Sequence, residues 1–308
     1  SFTATITDAD GDVDADTHTI TITDGANPQD AATQSVTLDE DDLPDGSSTN
    51  VPALTQVATL AFTAGSDTLG SFVFTGIGGL DTDANDGTAG GTIVWVMSPG
   101  DREIKGYVNG DAMTGQLAIT LTLGGATSID PNLAGNVTVT VTLADNFANI
   151  FADNLQTSFD LGSVTVQGSD GDDTVTGVVN VTVIDDVPSV EIAPAVADDT
   201  PATDTVAENG ANLSGAITLV EGADQDATLV ISGTGFADMS FTLNGAADVT
   251  LVRTVMNGPD ELGVLSVTVN AGGAASWTFN PSLDVAGEPS LSFTATITDA
   301  DGDVDADT

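Results

Sequence analysis

The chain has 308 residues and a formal net charge of −44, from 47 acidic side chains against 3 basic ones. That balance excludes nucleic acid as a partner, because phosphate recognition needs Lys and Arg, and it disfavours anionic membrane surfaces. It does not describe an acidic disordered tail either, since 40% of the residues are hydrophobic; a salt-adapted surface and a binder of divalent cations remain, because self-repulsion on this scale calls for counter-ions.

Residues 1–17, SFTATITDADGDVDADT, recur unchanged as residues 292–308. Distant segments stay identical when a longer unit is copied in tandem. The spacing of 291 residues is therefore read as one repeat, and the chain as a window on a longer array. After the first copy, Ile20 and Ile22 alternate with Thr19, Thr21 and Thr23, the period of a half-buried strand. Val137, Val139, Val141 and Leu143 repeat that pattern with Thr between them, as do Val179, Val181 and Val183, and then Leu265, Val267 and Val269. Turn signals separate the runs: Gly78-Gly79, Asn109-Gly110, Gly124-Gly125, Asn244-Gly245, Asn257-Gly258 and Gly272-Gly273. No amphipathic helix is evident. The fold class read from this is all-β, with β-sandwiches in tandem. Cysteine is absent, which excludes a disulfide framework. No apolar run reaches the ~18 residues of a membrane-spanning helix, and no secretion signal is visible, as expected of a window.

Ile6–Pro28 and Val166–Ser189 share an order: an Asp-rich loop containing DGD, a Thr/Val strand, Asp, then Pro. Each is read as the last hairpin of a domain followed by a linker, Asp24–Pro28 and Asp185–Pro188. Residues 1–24 then close a preceding domain, 25–187 form a large sandwich, and 188–308 form a second that lacks its last strand. The segment 1–24 is expected to be able to complete residues 188–308 of a neighbouring molecule by strand donation.

Calcium takes 6–8 oxygen ligands, and carboxylates at i, i+2 and i+4 of a tight loop can converge on one ion. Asp8, Asp10 and Asp12 have that spacing, and Asp299, Asp301 and Asp303 are their copy. The counterpart in the other domain is Asp170, Asp172 and Asp173. Asp81, Asp83 and Asp86 form a third candidate, and Asp224 with Asp226 a shorter one. None is an EF-hand loop. A solvated turn is the plain alternative for each; recurrence at the same place in both domains, and a charge with no other compensation, favour the metal. A second kind of site is expected at the junctions. There Glu40 and Glu208 stand at matching places near each domain's first strand, and Asp24, or Asp185 and Asp186, would join them on one ion. The plain alternative there is a charged edge strand.

The order of these pieces carries a resemblance. VTVNAGGAASWTFNP (Val267–Pro281), the TDADGD loop, the VTVIDDVPS linker and the LDEDDLPDG opening (Leu38–Gly46) are spread over essentially the whole chain. Together they resemble the tandem extender repeats of large bacterial RTX-type adhesins exported by type I secretion. The resemblance implies immunoglobulin-like β-sandwiches that bind Ca2+ and form a stalk at the bacterial cell surface. It also implies an extracellular, non-catalytic role in adhesion or biofilm formation. Two features depart from it: the nonapeptide GGxGxDxUx is absent, and residues 25–187 exceed a sandwich of about 100 residues, so an extra hairpin is expected there.

The remaining chemistry is sparse. His18, the only histidine, shares parity with Ile20 and Ile22 and is read as a strand-end residue. One His, no Cys and no GxSxG give no support to a catalytic triad. Carboxylate pairs abound, but glycosidases bind sugars on aromatic platforms, and 5% of residues are aromatic; no enzyme activity is expected. Trp95 and Trp277 fit core positions. Arg102, Lys105 and Tyr107 cluster in SPGDREIKGYVNGD, read as a hairpin whose basic groups pair with nearby Asp. The alternative function, a module repeated for avidity on a carbohydrate, ice or a host protein, would place its surface between Trp95 and Tyr107.

Overall fold

Alternation of Val with Thr places one residue type on each face of a pleated strand. In the computed structural model, which describes residues 1–47, 54–82, 92–108, 110–147, 158–195, 204–300 and 302–308, the result is an all-β chain. A first hairpin pairs β1 (Phe2–Thr7) with β2 (Val13–His18). There follow β3 (Gln34–Asp39), a single 3-10 turn at Glu40–Asp42, β4 (Thr55–Thr63), β5 (Leu69–Phe74), β6 (Val94–Met97) and β7 (Glu103–Val108). Then come β8 (Gln116–Gly125), β9 (Ser128–Ile129), β10 (Ala134–Leu143), β11 (Ser158–Ser169) and β12 (Thr174–Ile184). These strands form two sheets, ordered β4-β10-β8-β7-β6 and β3-β12-β11-β5-β9. The rest of the chain gives β13 (Ser189–Ile192), β14 (Leu213–Val220), β15 (Thr228–Gly233), β16 (Met239–Thr242), β17 (Val249–Asn257), β18 (Asp260–Val269), β19 (Ala275–Pro281), β20 (Phe293–Thr298) and β21 (Val304–Asp307). Its sheets are ordered β13-β14-β19-β18-β17 and β16-β15-β20-β21.

Each pair of sheets encloses one core, consistent with β-sandwich packing. In the first unit, Val137, Val139 and Val141 from one sheet meet Val179, Val181 and Val183 from the other, among Leu60, Phe62 and Phe74. The second core gathers Leu229, Ile231, Leu265, Val267, Trp277 and Ile297. Burying one such aliphatic side chain contributes about 1.5–3 kcal/mol.

The units share a plan. The order β4-β10-β8-β7 matches β14-β19-β18-β17, and β12-β11-β5 matches β21-β20-β15. Strand β6 is an addition at the edge of the first unit. The second half of β12 runs parallel to β3, from Val179 opposite Gln34 to Ile184 opposite Asp39. Among the described residues no segment of the second unit occupies the place of β3.

The duplicated 17 residues fold alike in both places. Ala4 pairs Asp16 and Ile6 pairs Asp14, as Ala295 pairs Asp307 and Ile297 pairs Asp305. Asp8 Oδ1 accepts from the Gly11 and Asp12 amides at 3.1 and 2.9 Å, and Asp299 Oδ1 from Gly302 and Asp303 at 3.0 and 2.7 Å. Gly11 and Gly302 take φ of +100° and +115°, which L side chains rarely adopt. Only the surroundings differ: Ile297 is fully buried, whereas its copy Ile6 is 71% exposed.

Two sequence readings need correction. Ile20 and Ile22 belong to no strand and are 66% and 92% exposed. By register they match Val181 and Val183, which face into the first core, whereas among the described residues the hairpin 1–18 forms a two-stranded sheet of its own. The basic groups also avoid Asp: Arg102 donates to the carbonyls of Phe72 and Leu123, and Lys105 pairs with Glu103 at 2.9 Å. Truncation should separate core from surface: Leu60→Ala is expected to cost about 2–5 kcal/mol, and Ile22→Ala no more than about 0.5 kcal/mol. Urea unfolding followed by tryptophan fluorescence checks both.

Candidate metal centre

The segment Leu38-Asp39-Glu40-Asp41-Asp42-Leu43 ends β3 and turns at once. Asp39 caps the 3-10 turn by accepting from the Asp41 amide, and Leu38 and Leu43 anchor both sides in the core. Gly46 closes the bend against the Glu40 and Asp41 carbonyls, where a Cβ would sit about 2.5 Å from backbone oxygen. The turn points Glu40 inward. It is fully buried, and its Oε1 accepts from the Phe147 amide at 2.7 Å.

Glu40 meets two other buried carboxylates, Asp185 from the end of the first unit and Asp224 from the loop between β14 and β15. One oxygen of each lies within 4.8 Å of the others. Oxygens on opposite sides of one Ca2+ stand about 4.8 Å apart when each is about 2.4 Å from the ion, so the spacing fits a single divalent cation. The donors are all hard oxygens, the class that calcium and magnesium select. The three basic side chains are committed elsewhere, Arg102 and Arg253 to backbone carbonyls and Lys105 to Glu103.

The neighbourhood ties the units together. Asn146 donates its side-chain amide to Asp224. Gln225 donates to the Asp45 carbonyl at 3.2 Å. Asp186 accepts from the Ser47 amide at 2.7 Å and from the Ser47 hydroxyl on one side, and from the Ala223 amide at 2.9 Å on the other. Asp186 is thus a clamp between the units rather than a member of the carboxylate cluster. Asp299 and Asp303 are buried in the adjoining loop, where the Ala300 amide reaches the Asp224 carbonyl at 3.5 Å.

The other expected ligands fall into three groups. Asp8, Asp10 and Asp12 converge within 4.8 Å but are fully exposed. Hydrogen bonding from the Asp10 side chain and the Asp12 amide holds Asp8 below its usual value. Asp170, Asp172 and Asp173 do not converge as a triplet. Their loop is one residue shorter, so Asp170 takes the place of Asp8 and receives the Asp173 amide at 2.8 Å. Asp226, at φ +70°, is exposed and separates from the buried Asp224. Asp81 is exposed, its backbone amide bonded to the Leu161 carbonyl at 3.0 Å and its carbonyl to the Trp95 indole. Asp83, Asp86 and Asp301 lie outside the described residues.

Asp24 does not join Glu40. It stands beside the DGD loop of the unit that follows it. There, against a backbone hydrogen bond that lowers it, the charges of Asp24 and Asp170 hold Asp172 above its usual value. Glu208 repeats the posture of Glu40: its Oε2 accepts from the Val285 amide at 2.9 Å, and Val285 follows β19 as Phe147 follows β10. Sequence reading missed Asn146 and Asp45, which meet the second unit through Asp224 and Gln225.

Trp95 and Trp277 are buried, and Tyr107 is half-buried, so the Trp95–Tyr107 region presents no open aromatic platform. His18 packs beside Phe2, ring centres 5.6 Å apart. No protein-family model matches the chain, and no curated protein is similar to it at a significant level.

Burial, with the charges of Asp41 and Asp42, raises Asp39 from an ordinary 3.8 to about 6, despite the hydrogen bond from Asp41. Between those values the folded chain holds a proton that the unfolded chain releases, so Asp39 withdraws stability as pH rises through that window. Asp39→Asn keeps the acceptor for the Asp41 amide. It is expected to raise the melting temperature of metal-free protein at about pH 7.5 and to change it little at about pH 3.5. Calorimetry at the two pH values checks the difference.

Proposed function

We propose that the chain is a calcium-stabilised extender module: tandem immunoglobulin-like β-sandwiches in the stalk of a large bacterial surface adhesin, without enzymatic activity. The observation that carries this is the meeting of Glu40, Asp185 and Asp224, because it takes two ligands from one unit and one from the next. A cation held there resists bending between the units, since any hinge motion would pull oxygens off the ion. Without it, like charges about 4 Å apart repel by roughly 4 kcal/mol at an effective dielectric of about 20, and the junction loosens. Ca2+ is the favoured ion because the donors are carboxylates on flexible loops, and extracellular modules of this kind bind at about 10⁻⁴–10⁻³ M.

The extracellular, cell-surface setting is supported by a charge of −44 that millimolar Ca2+ would neutralise. The partners in this reading are neighbouring copies of the same repeat, a role supported by the 17-residue duplication. The adhesive tip would lie outside this chain.

Millimolar Ca2+ is expected to raise the melting temperature and to give a longer, narrower particle by X-ray scattering than chelator does. Asp185→Asn or Asp224→Asn should remove most of the calcium-dependent shift, whereas Glu208→Gln should leave it in place. Identical melting and scattering in Ca2+ and chelator would sink the reading.

A further inference from the structure

The loop that carries Asp224 is braced from behind by one side chain. Glu221 opens that loop and Ala227 closes it, and Glu221 Oε2 accepts from the Ala227 amide at 3.2 Å. Asn244, in the turn after β16, donates to the same oxygen at 2.9 Å and to Gln225 Oε1 at 3.3 Å. Gln225 in turn donates to the Gly222 carbonyl at 2.7 Å and, across the junction, to the Asp45 carbonyl at 3.2 Å. Both side-chain amide hydrogens of Asn244 are thus engaged, and the two residues they hold stand on either side of Asp224 in the chain. The loop so held presents Asp224 to Glu40 and Asp185.

The residue after Asn244 is Gly245. In an Asn-Gly pair the asparagine side chain is most open to attack by the following backbone nitrogen, because glycine has no Cβ to obstruct it. The site is uncrowded: apart from its chain neighbours, a Cβ added at Gly245 would meet nothing nearer than 3.8 Å. Asn244 itself is exposed to water, at a φ of +59°. In the reaction the Gly245 nitrogen bonds to the Asn244 Cγ and the Cγ–Nδ2 bond breaks. The side-chain nitrogen leaves as ammonia, taking up the proton that the Gly245 amide loses. Water then opens the five-membered ring to aspartate or isoaspartate. Water is the one co-reactant, and nothing is oxidised or reduced.

We propose that Asn244-Gly245 is a deamidation site whose conversion loosens the cation-binding junction, an inference that rests on the calcium reading above. The product side chain has no hydrogen to donate. It sets a carboxylate against Glu221 at hydrogen-bond distance, and two carboxylates so placed cannot both stay ionised and in contact. It also faces the side-chain oxygen of Gln225. Gln225 can turn its amide toward the new carboxylate only by giving up the Gly222 and Asp45 carbonyls, and the second of these is a tie to the first unit. Either adjustment moves the loop on which Asp224 stands. Groups that orient a metal ligand set affinity by about 10–100-fold. Added negative charge by itself acts the other way, since it draws a cation in, so the sign of the change separates positioning from simple electrostatics.

The test uses the 308-residue chain. After prolonged incubation in mildly alkaline buffer, peptide mapping by mass spectrometry should find a carboxyl in place of the amide at residue 244. Asn244→Asp supplies the product directly. The Ca2+ concentration that gives half of the calcium-dependent melting shift should rise about 10–100-fold over wild type. Asn257→Asp adds the same charge at another Asn-Gly pair, by the far end of β15, where the Met256 amide donates to the Gly235 carbonyl. It should keep the wild-type midpoint. Adding Glu221→Gln to Asn244→Asp restores a donor between the two positions and should recover most of the lost affinity. An amide that persists at residue 244, an Asn244→Asp chain that binds Ca2+ as tightly as wild type or more tightly, an equal loss in Asn257→Asp, or no recovery in the double variant would each overturn the proposal. A wild-type chain with no calcium response would overturn the calcium reading itself, and the proposal with it.

Discussion

Negative charge packed where two units meet is the constraint from which the rest follows. Glu40, Asp185, Asp186, Asp224, Asp299 and Asp303 are all buried in or beside one junction. Taking a carboxylate out of water costs several kcal/mol unless hydrogen bonds or an opposite charge offset it. Asp186 is served by amides and a hydroxyl from both sides, and Asp299 by two amides of its own loop. The cluster of Glu40, Asp185 and Asp224 has the geometry that one divalent cation would satisfy, and the sandwiches supply the rigid walls that hold it.

The two units place their acidic groups by the same rules. In each, a glutamate accepts the amide four residues beyond a central strand, Phe147 after β10 or Val285 after β19. The DGD loop of the first unit, Asp170–Asp173, stands beside Asp24 of the incoming linker, and that of the second, Asp299–Asp303, beside Asp224 of the β14–β15 loop. Every unit therefore offers one half of a junction at each end. The environment decides whether a half is buried, which is why Glu208 is exposed while Glu40 is not.

Much of this is legible in the sequence, for identifiable reasons. Strands such as Val137–Leu143 are clear because one face is apolar and period two has no rival reading. The hairpin loop at Asp8–Asp12 is local: the Asp8 carboxylate and the bend at Gly11 need no partner, and it forms even where nothing covers it. Glu40 and Asp185 are legible as a junction pair through the repeated order of strand, acid and linker. The third member is not, because Asp224 reaches them only through the docking of one sandwich on the next. Its neighbour Asp226 has the same local sequence character and lies outside the cluster. The exposure of Ile20 and Ile22 was hidden for the converse reason: alternation shows which face seeks burial, not whether a partner is at hand.

The two linkers differ at one matched position. Asp186 reaches Ser47 on one unit and Ala223 on the other, while Gly25, at the corresponding place, has no side chain and packs directly against Ser66. A chain that repeats this 291-residue period would therefore alternate two kinds of joint. One is braced by a carboxylate strut, the other by the Ser66 amide and hydroxyl on the Ala26 carbonyl. Pulled from its ends, such a chain would not give evenly along its length. Its compliance would concentrate at every second joint, and the persistence of the whole would be governed by the weaker glycine hinge.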